Sequence, residues 1–154
     1  QAPQAAGTRP SFEELTPIYP TRRIVLENGN ESKDLPIRLV DLIAPIGFGQ
    51  RAMIVAPPEA GKTVILREMC KAVTTNDPDA KVMMLLIDER PEEVTLIRDE
   101  VKAEVFATTF EESPDNQIRV AETMLERAQR LVEQKKNVVI LLDSLTKLTR
   151  AYQA

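Results

Sequence analysis

The chain has 154 residues, of which 43% are hydrophobic and 29% charged, and its formal net charge is −4 at pH 7. The length predicts one domain, and the acidic net charge argues against a surface that is basic throughout, as in a protein that coats nucleic acid. One cysteine, Cys70, and no histidine exclude an internal disulfide, a cysteine and histidine zinc site, and a nucleophile activated by histidine.

The first 20 residues are rich in proline, which is typical of a linker. Residues 22–27 predict a short strand, and Asn28-Gly29-Asn30 predicts a turn after it. Apolar residues become frequent from residue 35 onward. We therefore assign residues 1–34 to a linker with a lead-in strand, and residues 35–154 to the domain.

No secretory signal is visible at the N-terminus, and no apolar run approaches the roughly 18 residues of a membrane span. A cytoplasmic protein without membrane contact is expected. The chain begins with Gln1 rather than methionine and ends at Ala154, soon after the start of a predicted helix. We therefore expect a fragment of a longer protein.

Short apolar strands alternate with amphipathic helices along the domain. Strands are predicted at Arg51–Ala56, Val82–Ile87, Val105–Phe110 and Val138–Leu142. Helices are predicted at Thr63–Val73, from Pro91 onward, and at Asn116–Gln134. Strands that are apolar on both faces, between such helices, predict an α/β fold with a mostly parallel sheet covered by helices on each side.

Residues 56–63, Ala-Pro-Pro-Glu-Ala-Gly-Lys-Thr, match the spacing of a phosphate-binding P-loop, with alanine at the first glycine position. In such a loop Gly61 permits the tight curl, Lys62 bridges the β- and γ-phosphates, and the Thr63 hydroxyl binds Mg²⁺. A Gly-Lys-Thr sequence can also begin a helix that binds nothing. The apolar strand before the loop and the amphipathic helix after it favour phosphate binding.

Asp143 directly follows an apolar strand. The aspartate of a Walker B motif lies at this position, where it holds a water molecule of the Mg²⁺ coordination shell. The alternative is that Asp143 or Ser144 merely caps the next helix. Asp88 and Glu89 likewise follow an apolar strand, and either carboxylate is a candidate to polarise the attacking water in ATP hydrolysis. The same pair can instead cap the helix that begins at Pro91.

Two other residues have competing interpretations. Phe48 lies between Gly47 and Gly49, where it either stacks on a base or fills the edge of the core, and the second is favoured. Cys70 follows Met69 on the apolar face of a predicted helix, which indicates a small core residue.

Five stretches together resemble the family of the bacterial transcription termination factor Rho. They are residues 12–20 (FEELTPIYP), 42–51 (LIAPIGFGQR), 54–63 (IVAPPEAGKT), 85–95 (LLIDERPEEVT) and 139–146 (VILLDSLT). The resemblance covers nearly the whole chain from Arg9 to Tyr152. It implies part of a RecA-like P-loop domain that works as a homohexamer and moves RNA with ATP and Mg²⁺ in transcription termination, with RNA polymerase or elongation factors as further partners.

The resemblance also implies residue roles. Glu89 would be the catalytic base assisted by Lys62, and Thr63 and Asp143 would hold the metal. The residues implied to contact the nucleotide are Gly47, Phe48, Gly49, Gln50, Arg51, Glu59, Ala60, Gly61, Lys62, Thr63, Val64 and Arg90.

The chain departs from the family pattern at Glu59, where lysine is usual, at Phe48, where a basic residue is usual, and at Lys147, where arginine is common. The family's RNA-gripping loops and arginine finger would follow Ala154, so we expect the isolated chain to be nearly inactive. Two other functions are consistent with the sequence: another RecA-like motor, or a nucleotide-binding scaffold protein that does not hydrolyse ATP.

Overall fold

The computed structural model describes residues 10–27 and 35–154 of the chain. After a short 3-10 helix at Phe12–Glu14, the elements in chain order are β1 (Arg23–Ile24), α1 (Leu35–Ile43), β2 (Ile46–Gly47), α2 (Lys62–Asn76), β3 (Lys81–Glu89), α3 (Pro91–Glu100), β4 (Glu104–Thr109), α4 (Pro114–Glu133), β5 (Val138–Asp143) and α5 (Leu145–Gln153). The predicted turn at residues 28–30 lies outside the described residues.

The main sheet has three parallel strands in the order β4-β3-β5. The central strand β3 is buried from Val82 to Ile87, because strands flank it on both edges and helices cover both faces. The carboxyl ends of all three strands therefore lie at the same end of the sheet. Leu86 of β3 pairs in register with Asp143 of β5. The predicted α/β fold with a parallel sheet is confirmed.

Side chains that alternate along β3 fill two separate cores, as the two-residue period of a strand requires. Val82, Met84 and Leu86 pack on one face with apolar residues of α2 and α3. Met83, Leu85 and Ile87 pack on the other face with α4. Cys70 of α2 is fully buried in the first core, which confirms its interpretation as a core residue.

The predicted helices form with small differences at their ends. Helix α2 begins at Lys62, and α3 begins at Pro91, which occupies the first turn. Helix α4 begins two residues earlier than predicted because the Ser113 side chain accepts a hydrogen bond from the Asn116 N–H and caps it.

The lead-in segment is anchored on the domain. The two residues of β1 pair antiparallel with β2. The buried Asp41 carboxylate of α1, a helix that was not predicted, accepts hydrogen bonds of 3.0 Å from the N–H groups of Leu26 and Glu27. It also forms an ion pair of 3.0 Å with Arg23. Farther upstream, the Phe12 N–H donates to the Glu133 carboxylate of α4.

The prediction of a buried strand at residues 51–56 is wrong for this structure. The segment has no regular secondary structure, and its apolar side chains are exposed, with Met53 72% and Val55 84% accessible. A strand requires a neighbour to pair its backbone groups, and among the described residues β5 pairs with β3 alone. The apolar composition indicated a strand but not a partner for it.

Within residues 10–27 and 35–154, no helix combines the length and the apolar composition needed to cross a bilayer.

Candidate functional site

The loop before α2 curls tightly. The Ala60 N–H donates to the Pro57 carbonyl, and two residues of the loop have positive φ angles, Glu59 at 62° and Gly61 at 83°. A side chain at Gly61 would be strained at this angle, so the glycine permits the curl. The chain then enters α2 at Lys62, and the first N–H groups of a helix have no partner within it. Donors at a helix N-terminus favour an anion.

Lys62 is held inside this loop. Its ammonium group donates to the carbonyl of Ala56 at 3.0 Å and to the carbonyl of Pro57 at 2.8 Å. Both acceptors are neutral backbone oxygens. A phosphate would offer a negatively charged acceptor at the same loop, and the attraction between opposite charges would favour it over the neutral carbonyl oxygens.

Thr63 and Asp143 meet although they are 80 residues apart in the sequence. The Thr63 hydroxyl donates to the Asp143 carboxylate at 2.5 Å. The P-loop therefore lies at the edge of the sheet where β5 ends, and the side chain of Asp143, which is buried, faces the first turn of α2. Sequence analysis predicted both residues as metal ligands, and the structure brings their oxygens together.

The cap of α5 is supplied by Ser144. Its hydroxyl accepts a hydrogen bond from the Lys147 N–H at 3.3 Å. Of the two residues that were candidates to cap this helix, Ser144 therefore does so. The Asp143 carboxylate remains directed at Thr63.

Glu89 lies at the end of β3, beyond a local irregularity of the strand. The pairing register with β4 shifts between Leu86 and Glu89, and Asp88 has a positive φ of 58°. The Asp88 N–H donates to the hydroxyl of the buried Thr108 on β4 at 3.3 Å. The cap residue of α3 is Arg90 and no side chain caps that helix, so neither Asp88 nor Glu89 serves as its cap.

The Glu89 carboxylate forms an ion pair with Lys147 of α5 at 2.6 Å. Burial is the largest single influence on the pKa of Glu89 and raises it above its ordinary value, whereas the hydrogen bond and the charge of Lys147 lower it. A hydrogen bond with Glu93 and the charge of Asp143 raise that pKa further. A raised pKa makes a carboxylate a stronger base, which suits a residue that accepts a proton. Sequence analysis did not identify Lys147 as the partner of Glu89.

The glycine loop at residues 47–51 is held against β1. The Phe48 N–H donates to the Arg22 carbonyl at 2.9 Å, and the Phe48 ring packs on the first core beneath the Arg22 guanidinium, 4.9 Å from the ring centre. The Gln50 side chain accepts from the Gly47 N–H at 3.0 Å. A Cβ at Gly47 would lie 2.7 Å from the Pro20 side chain, so only glycine fits there. The ring thus fills the edge of the core.

The remaining predicted residues differ in their exposure. Arg90 is exposed directly after Glu89, and Val64 is 48% accessible on the first turn of α2. Glu59 and Ala60 are exposed on the loop, as are Gly49 and Arg51 on the glycine loop. Contact between these residues and a nucleotide remains a prediction.

A groove of about 850 Å³ lies elsewhere on the molecule. Lys81 and Glu104, at the beginnings of β3 and β4, help to line it, and so do Lys71 and Arg127. Thr63, Glu89 and Asp143 are absent from its lining. Ligands of parallel α/β sheets bind at the ends of the strands, so the geometry at Thr63 and Asp143 rather than this groove defines the candidate site.

Residues 36–154 match the sequence profile of the ATP synthase alpha/beta family, nucleotide-binding domain. The chain belongs to this family. The match contains the P-loop, Glu89, Asp143 and Lys147, so the contacts among these residues lie within the matched nucleotide-binding domain. The acids at the strand ends and the loop before α2 thus belong to a nucleotide-binding architecture.

Curated proteins similar to this chain confirm the resemblance identified from the sequence. The transcription termination factor Rho of Bacillus subtilis (strain 168) is 54% identical over 150 residues, which is 97% of this chain and 35% of that protein. The Pseudomonas aeruginosa Rho is 53% identical over 97% of this chain and 36% of its own length. The Mycobacterium bovis Rho is 54% identical over 96% of this chain and 24% of its own length. The chain therefore spans about a quarter to a third of these relatives.

Proposed function

We propose that the chain is the ATP-binding and ATP-hydrolysing segment of an RNA-dependent ATPase that acts in transcription termination. The hydrogen bond between Thr63 and Asp143 is the observation that carries the proposal. It places a P-loop hydroxyl and an acid from the end of a neighbouring strand at one point, as the handling of a metal-bound triphosphate requires. Similarity to Rho proteins supports the role in termination.

The phosphates of ATP would bind at the N-terminus of α2. The loop of residues 57–61 supplies the curl, and Lys62 supplies a cation that would exchange its two carbonyl acceptors for phosphate oxygens. Arg90 and the glycine loop of residues 47–51 would complete the nucleotide site from the side of α3 and β2.

The donor set at Thr63 and Asp143 fits Mg²⁺, a hard cation that prefers oxygen ligands. Among the described residues no three acidic or cysteine side chains converge to hold a metal by themselves. This agrees with an ion held jointly by protein, water and phosphate, the usual arrangement for magnesium with nucleotides. When bound, Mg²⁺ would neutralise charge on the phosphate oxygens.

Glu89 would act as the general base. A water oxygen attacks the γ-phosphorus, the bond from that phosphorus to the β–γ bridging oxygen breaks, and ADP leaves with the bond's electron pair. Glu89 orients the water and accepts its proton. Lys62 would stabilise negative charge on the phosphate oxygens during this step.

The assembly that we propose is a homohexamer that binds RNA in the cytoplasm, with RNA polymerase or elongation factors as further partners. The family match supports the nucleotide-binding part of this proposal, and the Rho relatives support the remainder. The chain as a whole has a negative net charge, so contact with RNA would be local rather than spread over the surface.

The test is ATP hydrolysis by the assembled protein with and without RNA, together with native mass spectrometry to count the subunits. Turnover that RNA stimulates, in a species of six copies, is the expected result. ATP binding without turnover under all conditions would instead favour the scaffold protein that only binds nucleotide. Turnover stimulated by DNA but not by RNA would indicate another motor of the RecA-like class.

A further inference from the structure

Lys147 contacts two adjacent residues at the end of β3. Its ammonium group donates to the Glu89 carboxylate at 2.6 Å and to the Asp88 carbonyl at 2.9 Å. The Glu89 side chain is 13% accessible and that of Lys147 29%, so the contact is largely shielded from water. One cation thus holds both the carboxylate of Glu89 and the backbone directly before it.

The position of this cation is itself fixed. Lys147 lies in the first turn of α5, where its N–H donates to the Ser144 hydroxyl. Ser144 directly follows Asp143, the last residue of β5. The helix turn that carries Lys147 is therefore attached directly to the strand end that carries Asp143. Asp88, on the other side of the contact, is fixed through its N–H by Thr108.

The charges around Glu89 come from three elements. Lys147 of α5 faces it as a cation, whereas Glu93 of α3 and Asp143 of β5 are acidic. Without Lys147, a mostly buried carboxylate would face two acids. A buried charge that loses its partner either turns away toward water or takes up a proton, and neither form can orient a water molecule as a base.

The geometry points to Lys147 as a positioning residue that fixes the Glu89 carboxylate at the end of β3, at the same end of the sheet as Asp143. This inference rests on the proposed function, in which Glu89 is the base. Lys147 reaches the reaction through Glu89 and touches neither the P-loop nor the Thr63 hydroxyl in the contacts described above.

Kinetics of the assembled protein test the role. Lys147→Met should lower kcat by roughly ten- to a hundredfold, as the misplacement of a catalytic group does, while the KM for ATP changes less than about twofold. Lys147→Arg should restore most of the turnover. Lys102→Met, which replaces an exposed lysine, is the matched control.

Thermal unfolding of the 154-residue chain supplies a second readout that does not depend on ATP. Lys147→Met should lower Tm by several degrees, and adding Glu89→Gln should recover part of that loss, because the unpaired charge is then gone. Additive Tm losses, or a Lys147→Met protein whose kcat is unchanged, would overturn the inference. A wild-type assembly without turnover would contradict the proposed function, and the Tm pattern would still show whether Lys147 holds Glu89.

Discussion

The Thr63 hydroxyl and the Asp143 carboxylate are 2.5 Å apart, and neither residue is adjacent to the other in sequence or in the sheet. Thr63 reaches this point from the first turn of α2, and Asp143 reaches it as the last residue of β5. The parallel direction of β3 and β5 brings Glu89 to the same edge. Three functional groups from distant parts of the chain thus meet at one end of the sheet.

Lys62→Ala should weaken ATP binding by roughly ten- to a hundredfold, the effect of losing a hydrogen bond to a charged group. Tm of the chain without nucleotide should fall by no more than about 2 °C, because the Ala56 and Pro57 carbonyls can accept from water instead. Fluorescence titration and thermal unfolding measure the two quantities. Lys81→Ala, at the opposite edge of the sheet, is the control. Unchanged ATP affinity with a large Tm loss would make Lys62 structural.

Asp143→Asn should reduce mainly the part of the ATP affinity that depends on Mg²⁺, and Thr63→Val should do the same. Thr63→Ser keeps the hydroxyl and should preserve that part. Glu89→Gln should leave binding nearly intact and remove hydrolysis by the assembled protein. Titrations with ATP in Mg²⁺ and in EDTA separate these effects. Equal binding losses for Asp143→Asn and Glu89→Gln would contradict the division of roles.

Glu59→Lys should tighten binding of ATP more than that of ADP, because ATP carries the additional γ-phosphate. Glu59 is exposed on the P-loop, and reversing its charge within about 8 Å of the phosphates is worth on the order of 1 to 2 kcal/mol at low salt. The gain should shrink as salt rises toward 1 M, where the Debye length is about 3 Å. Glu59→Gln removes the charge with little change in shape and should give a smaller gain. A gain that is equal for ATP and ADP would place Glu59 away from the phosphates.

Cys70 should make the stability of the fold depend on alkaline pH. Burial raises the pKa of its thiol from 9.0 to about 11, and the nearby Lys71 charge offsets this only in part. The unfolded chain loses the thiol proton at a lower pH than the folded chain does. The contribution of Cys70 to the free energy of unfolding is therefore complete below about pH 9, and it is lost as the pH rises through about 11.

Thermal unfolding between pH 8 and pH 11 measures this effect. The slope of Tm against pH should be steeper for the wild type than for Cys70→Ala, whatever the difference between their Tm values at pH 8. Parallel curves for the two proteins would show that the thiol stays protonated to the same pH in the folded and unfolded chains.

Local sequence patterns predicted much of the fold and several site residues. The Gly61-Lys62-Thr63 sequence located the start of α2, and the apolar run before Asp143 located the end of β5. Both are local features, in which the chemistry of a short segment determines its conformation.

What sequence analysis missed depends on contacts between distant segments. The apolar residues 51–56 predicted a strand, but pairing requires a neighbour that composition does not identify. Helix α1 was not predicted, and it is held in place by the ion pair of its buried Asp41 with Arg23 of β1. The contact between Lys147 and Glu89 spans 58 residues and depends on the geometry at the end of β3, where Asp88 adopts a positive φ.

The nucleotide site at Lys62, Thr63 and Asp143 is tested best by titrating the purified chain with a fluorescent ATP analogue in the presence and absence of Mg²⁺. We expect saturable binding that unlabelled ATP competes away, that Mg²⁺ strengthens, and that Lys62→Ala weakens at least about tenfold. Binding that does not saturate at millimolar analogue, or that Mg²⁺ and Lys62→Ala both leave unchanged, would contradict a nucleotide site at Lys62, Thr63 and Asp143.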